Sequence, residues 1–161
     1  MGYVAAFNGF DAVNLDTGAV LWSVPTENVV GVNLKVEVSE DRLYLARSHA
    51  GLAIYGLTAA GSVELLAEHA TDGAVRNVHV EGHTAYLAIN GSDEADVRFW
   101  DVSDATAPKE LGTHAQSSGT SSDGLAVTEG YVYLGLASDL VVLDATCPQP
   151  ETCNAGGQCT P

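Results

Sequence analysis

Short apolar runs recur along the chain, and in each repeat one run surrounds a tyrosine and a second run ends in a turn. The repeated tyrosines are separated by 41, 42 and 47 residues, and they are Tyr3, Tyr44, Tyr86 and Tyr133. The residues that end the second runs are separated by 42, 45 and 43 residues, and they are Asn14, Gly56, Asp101 and Asp144. Two independent markers therefore give one period, which is typical of a repeat fold.

The runs are rich in Val, Leu and Tyr and are bounded by Gly, Asn, Asp or Ser, as expected for β-strands and hairpins. No window sustains the spacing of an amphipathic helix. In the third repeat the pattern predicts four successive strands, over residues 75–80, 84–90, 96–102 and 110–115. Four antiparallel strands per repeat predict an all-β protein built from β-propeller blades.

Several strands are apolar on both faces, as in Val141-Val142-Leu143 and in residues 134–137. This is expected when a neighbouring sheet covers each face. The structural alternative is an immunoglobulin-like sandwich, which predicts polar alternation on the outer faces and gives no reason for the repeat.

The sequence predicts about 3.5 to 4 blades in residues 1–146, with repeats over about 1–31, 32–73, 74–119 and 120–146, followed by a tail at 147–161. The chain opens at the second strand of a blade and reaches the third strand of the last one, so the four repeats contribute three, four, four and three strands, fourteen in all. An open arc leaves apolar faces and strand edges exposed. We expect chain N-terminal to Met1 to complete a larger ring; a second copy or another partner are the alternatives.

The composition of the chain limits the classes of partner that it can bind. The chain has 161 residues, of which 46% are hydrophobic, and this suffices for a core. Six Lys and Arg against 21 Asp and Glu give a net charge of −15, which opposes binding to nucleic acid. An acidic surface suits solubility first, and also cations, basic partners or high salt. No stretch is apolar for the roughly 20 residues that a membrane helix requires, and no signal peptide is present in residues 1–161.

Two segments carry a family resemblance: residues 96–104 with 107–112, and Leu140-Val141-Val142-Leu143-Asp144. They resemble the LVIVD repeat of bacterial and archaeal surface propellers, and the resemblance extends over residues 36–146. It implies a secreted or cell-surface propeller. At the turn that follows the third strand, Asp101, Ser103 and Asp104 are expected to bond local backbone amides, and Pro108 to fix the backbone.

Residues 12–22 are similar to a different propeller repeat, which occurs in quinoprotein dehydrogenases and outer-membrane assembly lipoproteins. In those families the tryptophan at the position of Trp22 docks adjacent blades and does not hold the cofactor. The resemblance therefore implies blades, with Asn14, Trp22, Asp101 and Asp144 as structural markers of the repeat. It does not imply a quinone.

All three cysteines, Cys147, Cys153 and Cys159, lie in the tail. Residues 147–159 resemble the opening of an EGF-like module, and that resemblance implies a Cys147–Cys159 disulfide with Cys153 paired to a residue outside residues 1–161. The alternative is a Cys-rich linker with one disulfide and one spare thiol. Either interpretation predicts an oxidising location, which is secreted, periplasmic or at the cell surface.

Candidate metal ligands are sparse. Among five histidines, His79 is the best candidate because it lies on the strand predicted to be innermost in its blade, although a structural role is the stronger expectation. Asp93, Glu94 and Asp96 group three carboxylates that suit Ca²⁺, but they lack the ligand spacing of a calcium loop, so an ordinary hairpin turn is favoured. No other cofactor is predicted.

The sequence contains no nucleophile elbow, phosphate-binding loop or haem motif. The favoured function is a non-catalytic extracellular or cell-surface module for recognition or scaffolding, with residues 92–96 and 116–123 presenting a surface to a protein or ligand. The alternatives are a fragment of a propeller enzyme, either a quinoprotein-like dehydrogenase or a metal-dependent hydrolase, and a structural subunit that another chain completes in an assembly or filament.

Overall fold

A computed structural model describes residues 1–26, 34–58, 62–91, 95–116, 122–136, 139–145, 152–153 and 159–160. These residues form strands, turns and short connections. In these ranges no helix is long and apolar enough to cross a membrane.

Four antiparallel sheets follow one another along the chain, and we call them blades 1 to 4. Blade 1 contains β1 (Gly2–Ala6), β2 (Gly9–Val13) and β3 (Val20–Pro25). Blade 2 contains β4 (Lys35–Ser39), β5 (Arg42–Ala46), β6 (Leu52–Leu57) and β7 (Val63–His69). Blade 3 contains β8 (Ala74–Glu81), β9 (Thr84–Asn90), β10 (Ala95–Asp101) and β11 (Lys109–Gln116). Blade 4 contains β12 (Ser122–Thr128), β13 (Tyr131–Leu136) and β14 (Leu140–Asp144).

Within each blade every strand pairs with the next one along the chain. The strands that the third repeat predicts are confirmed to within one residue at each end, and the division of fourteen strands into 3, 4, 4 and 3 is confirmed. The tail adds the short pair β15 (Thr152–Cys153) and β16 (Cys159–Thr160), which the repeat pattern does not predict.

The repeated tyrosines occupy one structural position. Each lies on the second strand of a complete blade, or its equivalent in blade 1, and faces a residue of the following strand: Tyr3 pairs with Ala12, Tyr44 with Ile54, Tyr86 with Phe99, and Tyr133 with Val142. Positions can therefore be compared between blades by counting from the tyrosine.

Alternate residues of one strand pack against opposite neighbours. On β5, Leu43 and Leu45 join the cluster that contains Phe10 of blade 1, whereas Tyr44 and Ala46 join the cluster that contains Val78 of blade 3. The same division on β9 sends Leu87 towards blade 2 and Tyr86 towards blade 4. The sheets of blades 2 and 3 are thus covered on both sides, which explains runs that are apolar on both faces and confirms stacked blades.

The first strands of blades 2, 3 and 4 lie next to one another, because β8 contacts both β4 and β12. These three strands are therefore the inner strands of the arc. Each is joined to the second strand by a turn of two residues, 40–41, 82–83 and 129–130. The first residue of each turn has a positive φ, 56° at Glu40, 59° at Gly82 and 52° at Glu129, whereas the second has a positive φ at Gly130, 80°, and not at Asp41 or His83.

Candidate functional site: the loop end and the inner strands

The antiparallel order places two sets of connections at the same end of every blade, which we call the loop end. The connections from second to third strands contain two, five, four and three residues, at 7–8, 47–51, 91–94 and 137–139. The connections between successive blades contain nine, four and five residues, at 26–34, 70–73 and 117–121. The hairpins between first and second strands, at the other end, always have two. Variable connections on a repeated framework are where propellers and other scaffolds commonly place binding residues.

At the loop end of blade 2, a buried arginine supports an exposed carboxylate. The Arg47 guanidinium is 6% exposed and donates to the carboxylate of Glu68, which is 50% exposed. In the described part of the chain, its Nε has no hydrogen-bond partner. The following residue, Ser48, exchanges two backbone hydrogen bonds with Val75 of blade 3, of 3.1 and 2.9 Å. This loop is therefore fixed to two blades.

A second arginine has the same role in blade 3. Arg98 is 15% exposed, and it binds Asp72 in the connection between blades 2 and 3 as well as Asp96 on its own strand, at 3.1 Å. Glu110 on β11 lies 3.8 Å from the guanidinium. The side chain of Asp72 is 78% exposed. In both blades the exposed group is a carboxylate, of Glu68 or Asp72, and the guanidinium that binds it is the less exposed of the two groups.

The predicted calcium ligands Asp93, Glu94 and Asp96 belong to this part of the sequence. Asp93 and Glu94 lie outside the described residues, and Asp96 accepts hydrogen bonds from Nε and a terminal nitrogen of Arg98 at 3.2 and 3.1 Å. An ion pair therefore engages one of the three predicted ligands. The calcium site stays a prediction.

The inner strands bring three charged or titratable side chains together. His79 lies on inner strand β8, and its Nδ1 is 3.5 Å from a carboxylate oxygen of Glu37 on β4. The Lys35 Nζ is 3.7 Å from the other carboxylate oxygen of Glu37. Within the described ranges, no group of three or more His, Cys, Asp or Glu side chains could hold a metal ion. Glu37 thus lies between Lys35 and His79. A metal role for His79 stays a prediction.

The marker residues of the repeat have structural contacts. The Asn14 Oδ1 accepts hydrogen bonds from the amides of Asp16 and Thr17, at 2.8 and 3.1 Å. Trp22 packs against Tyr3 and Phe10, with ring centroids 5.9 and 6.2 Å apart, and belongs to the contact between blades 1 and 2. Asp144 ends β14, opposite Tyr131.

The turn after the third strand of blade 3 also has its expected hydrogen bonds. The carboxylate of Asp101 accepts from the Ser103 amide at 2.9 Å, and that of Asp104 accepts from the Thr106 amide at 3.0 Å. Hydrogen bonds from Ser103 lower the pKa of Asp101, and hydrogen bonds from Thr106 lower the pKa of Asp104. Both carboxylates therefore stay ionised in this turn at neutral pH.

Three arginines that tie blades and loops together were not predicted from the sequence. Besides Arg47 and Arg98, Arg42 on β5 donates to the carbonyl oxygens of Val102 at 2.5 Å and Ser103 at 3.3 Å, both in blade 3. One signal was present in the sequence: Arg42 directly precedes an apolar run, Arg47 ends that run and Arg98 interrupts another, and a charge at such a position needs a partner.

The cysteine tail is described only in part. In the pair β15–β16, Cys153 and Cys159 lie opposite each other in the backbone register. Cys147 lies outside the described residues, as do the side chains of Cys153 and Cys159. The Cys147–Cys159 disulfide therefore stays a prediction.

Comparison with known proteins supports the repeat and the fold. The LVIVD repeat matches residues 119–147, which include the Leu140–Asp144 segment. This match covers one repeat. No curated protein matches the sequence.

Three solved structures have a similar fold at low sequence identity. The computationally designed Ika4 protein shares 10% identity with a TM-score of 0.63, over 85% of this chain and 79% of that one. The designed Ika8 protein shares 18% with a TM-score of 0.65, over 88% of this chain and 42% of that one. A functionally unknown protein from Desulfotomaculum acetoxidans DSM 771 shares 13% with a TM-score of 0.68, over 94% and 47%. The chain thus spans less than half the length of the last two.

Proposed function

We propose that this repeat β-propeller protein is a non-catalytic recognition module that binds a basic segment of a protein partner at its loop end. The observation that carries the proposal is that, at the loop end, two arginines each bind a carboxylate that is more exposed than they are. Arg47 and Arg98 are buried or nearly so, whereas the carboxylates of Glu68 and Asp72 above them are exposed. A partner that approaches this end meets negative charge.

The net charge of −15 adds to this local arrangement, because a field of one sign accelerates association with partners of the opposite sign. The framework beneath is held by apolar contacts between blades and by the Ser48–Val75 bridge, so residues 47–51 and 70–73 of the loop end are preorganised. The tail cysteines support an extracellular or cell-surface setting, where disulfides persist.

The test uses a fluorescent decalysine peptide and a decaglutamate peptide, with anisotropy as the readout. We expect decalysine to bind, with an affinity that falls as salt is added, and decaglutamate not to bind. The double variant Glu68→Gln/Asp72→Asn should weaken binding roughly tenfold, since it removes two charges that face the partner.

The matched control is Glu40→Gln/Glu129→Gln, which removes two charges from the hairpins at the opposite end. It should leave decalysine affinity within about twofold. The proposal is wrong if decalysine does not bind, if both peptides bind equally, or if the control weakens binding as much as the loop-end variant. Circular dichroism of each variant shows that the fold is kept.

A further inference from the structure

The two ends of the arc expose apolar sheet faces that are buried elsewhere in the repeat. The residue after each repeated tyrosine points towards the preceding blade, and its exposure is 0% at Leu45, Leu87 and Leu134 but 50% at Val4. Blade 1 has no preceding blade in this chain. The uncovered face of blade 1, which we call the leading face, also includes Leu21, which is 50% exposed.

The opposite face of blade 4 shows the same contrast. The residue paired with the repeated tyrosine is fully buried in blades 1 and 2, at Ala12 and Ile54, but Val142 in blade 4 is 50% exposed. Leu140 on the same strand is 66% exposed. We call this surface, with Val142 and Leu140, the trailing face. None of the residues that the structure describes covers either end face.

The leading and trailing faces are complementary because the same two sides of a blade meet at each contact between neighbouring blades. In the contact between blades 2 and 3, the trailing side of blade 2, with Tyr44 and Ile54, packs against the leading side of blade 3, with Leu87. The same two sides meet between blades 3 and 4. The trailing face of blade 4 and the leading face of blade 1 are the two halves of this repeated contact.

We infer that two copies of this chain close one ring, with the trailing face of each copy packed on the leading face of the other. The occupant of each end face is thus a second copy. Two copies supply eight blades, the upper end of the four to eight blades that propeller rings contain.

The ring would also complete the central surface. In one chain the inner strands β4, β8 and β12 line only part of the axis, and β4 and β8 carry Lys35, Glu37 and His79. A second copy adds the same three strands and the same three side chains on the other side. This inference does not depend on the proposed function, since it rests on the end faces alone.

The first measurement is the mass of the full 161-residue chain in solution, by light scattering and sedimentation equilibrium at tens of micromolar. A reducing agent excludes dimers that are linked through the tail cysteines. The expected mass is twice 16.7 kDa. A mass of one chain, or an open series of larger species, would overturn the inference.

Charged variants then test which faces meet. Val4→Glu on the leading face and Val142→Glu on the trailing face should each weaken self-association at least tenfold, because a charge is buried without a partner at both contacts. Leu111→Glu is the matched control: it lies on outer strand β11, is 52% exposed, and should keep the dimer. Circular dichroism shows that each variant folds.

An equimolar mixture of the two end-face variants is the deciding experiment. A mixed pair retains one unaltered contact, between the leading face of the Val142→Glu chain and the trailing face of the Val4→Glu chain. Heterodimers should therefore form at concentrations where neither variant associates alone. If the mixture stays at the mass of one chain, or if either variant dimerises as the natural chain does, the head-to-tail contact is wrong.

Discussion

Leu87→Ala is expected to lower the free energy of unfolding by about 2–5 kcal/mol. Leu87 is fully buried between blades 2 and 3, in the cluster that also contains Tyr44, Ile54 and Val78. Truncation to alanine removes apolar contacts and leaves a cavity between two sheets, whose backbones are fixed by their own hydrogen bonds and can move only slightly to fill it. Urea unfolding followed by circular dichroism measures the change.

Leu111→Ala is the control for this prediction, because the same substitution is made on an outer strand where the side chain is 52% exposed. Its effect should stay within about 0.5 kcal/mol. If Leu87→Ala and Leu111→Ala cost the same, the packing of blade 3 on blade 2 would be wrong.

Gly51→Ala is expected to destabilise the fold by about 3 kcal/mol or more. Gly51 has a φ of 83°, in the left-handed region, and its amide donates to the Ser48 carbonyl at 3.0 Å. A β-carbon at this position would also overlap the carbonyl oxygen of His69 at the end of β7. Two costs therefore add: the backbone conformation, and a clash with a main-chain atom that cannot rotate away.

Gly18→Ala separates the two costs. Gly18 has a φ of 70°, but a β-carbon there meets no atom within 4 Å. Only the left-handed conformation is penalised, by about 1–2 kcal/mol. Thermal and urea unfolding of both variants should show a clearly larger loss for Gly51→Ala. Equal losses would mean that residues 47–51 do not approach β7 as described.

The strands and their grouping into blades could be predicted from the sequence, because the physical cause is local and repeated. A tyrosine within an apolar run marks the second strand of a complete blade, and a residue such as Asp101 or Asp144 marks the end of the third. An apolar run that is covered on both faces has no polar alternation, and this property distinguishes stacked blades from a sandwich.

The candidate site was predicted less well, because its contacts join residues that lie far apart in the sequence. Arg42 reaches the carbonyl oxygen of Val102, 60 residues away, and Arg98 reaches Asp72, 26 residues away. No spacing rule within one repeat predicts which carboxylate an arginine meets on the next blade. The lengths of the connections follow from the positions at which the strands begin and end, and the structure provides those positions.

A crystal structure of the 161-residue chain tests the central claim most directly. We expect four antiparallel sheets arranged side by side around an axis, with β4, β8 and β12 innermost and with Leu87 buried between the second and third sheets. Two sheets packed face to face without radial repetition, or helices in place of these strands, would contradict it.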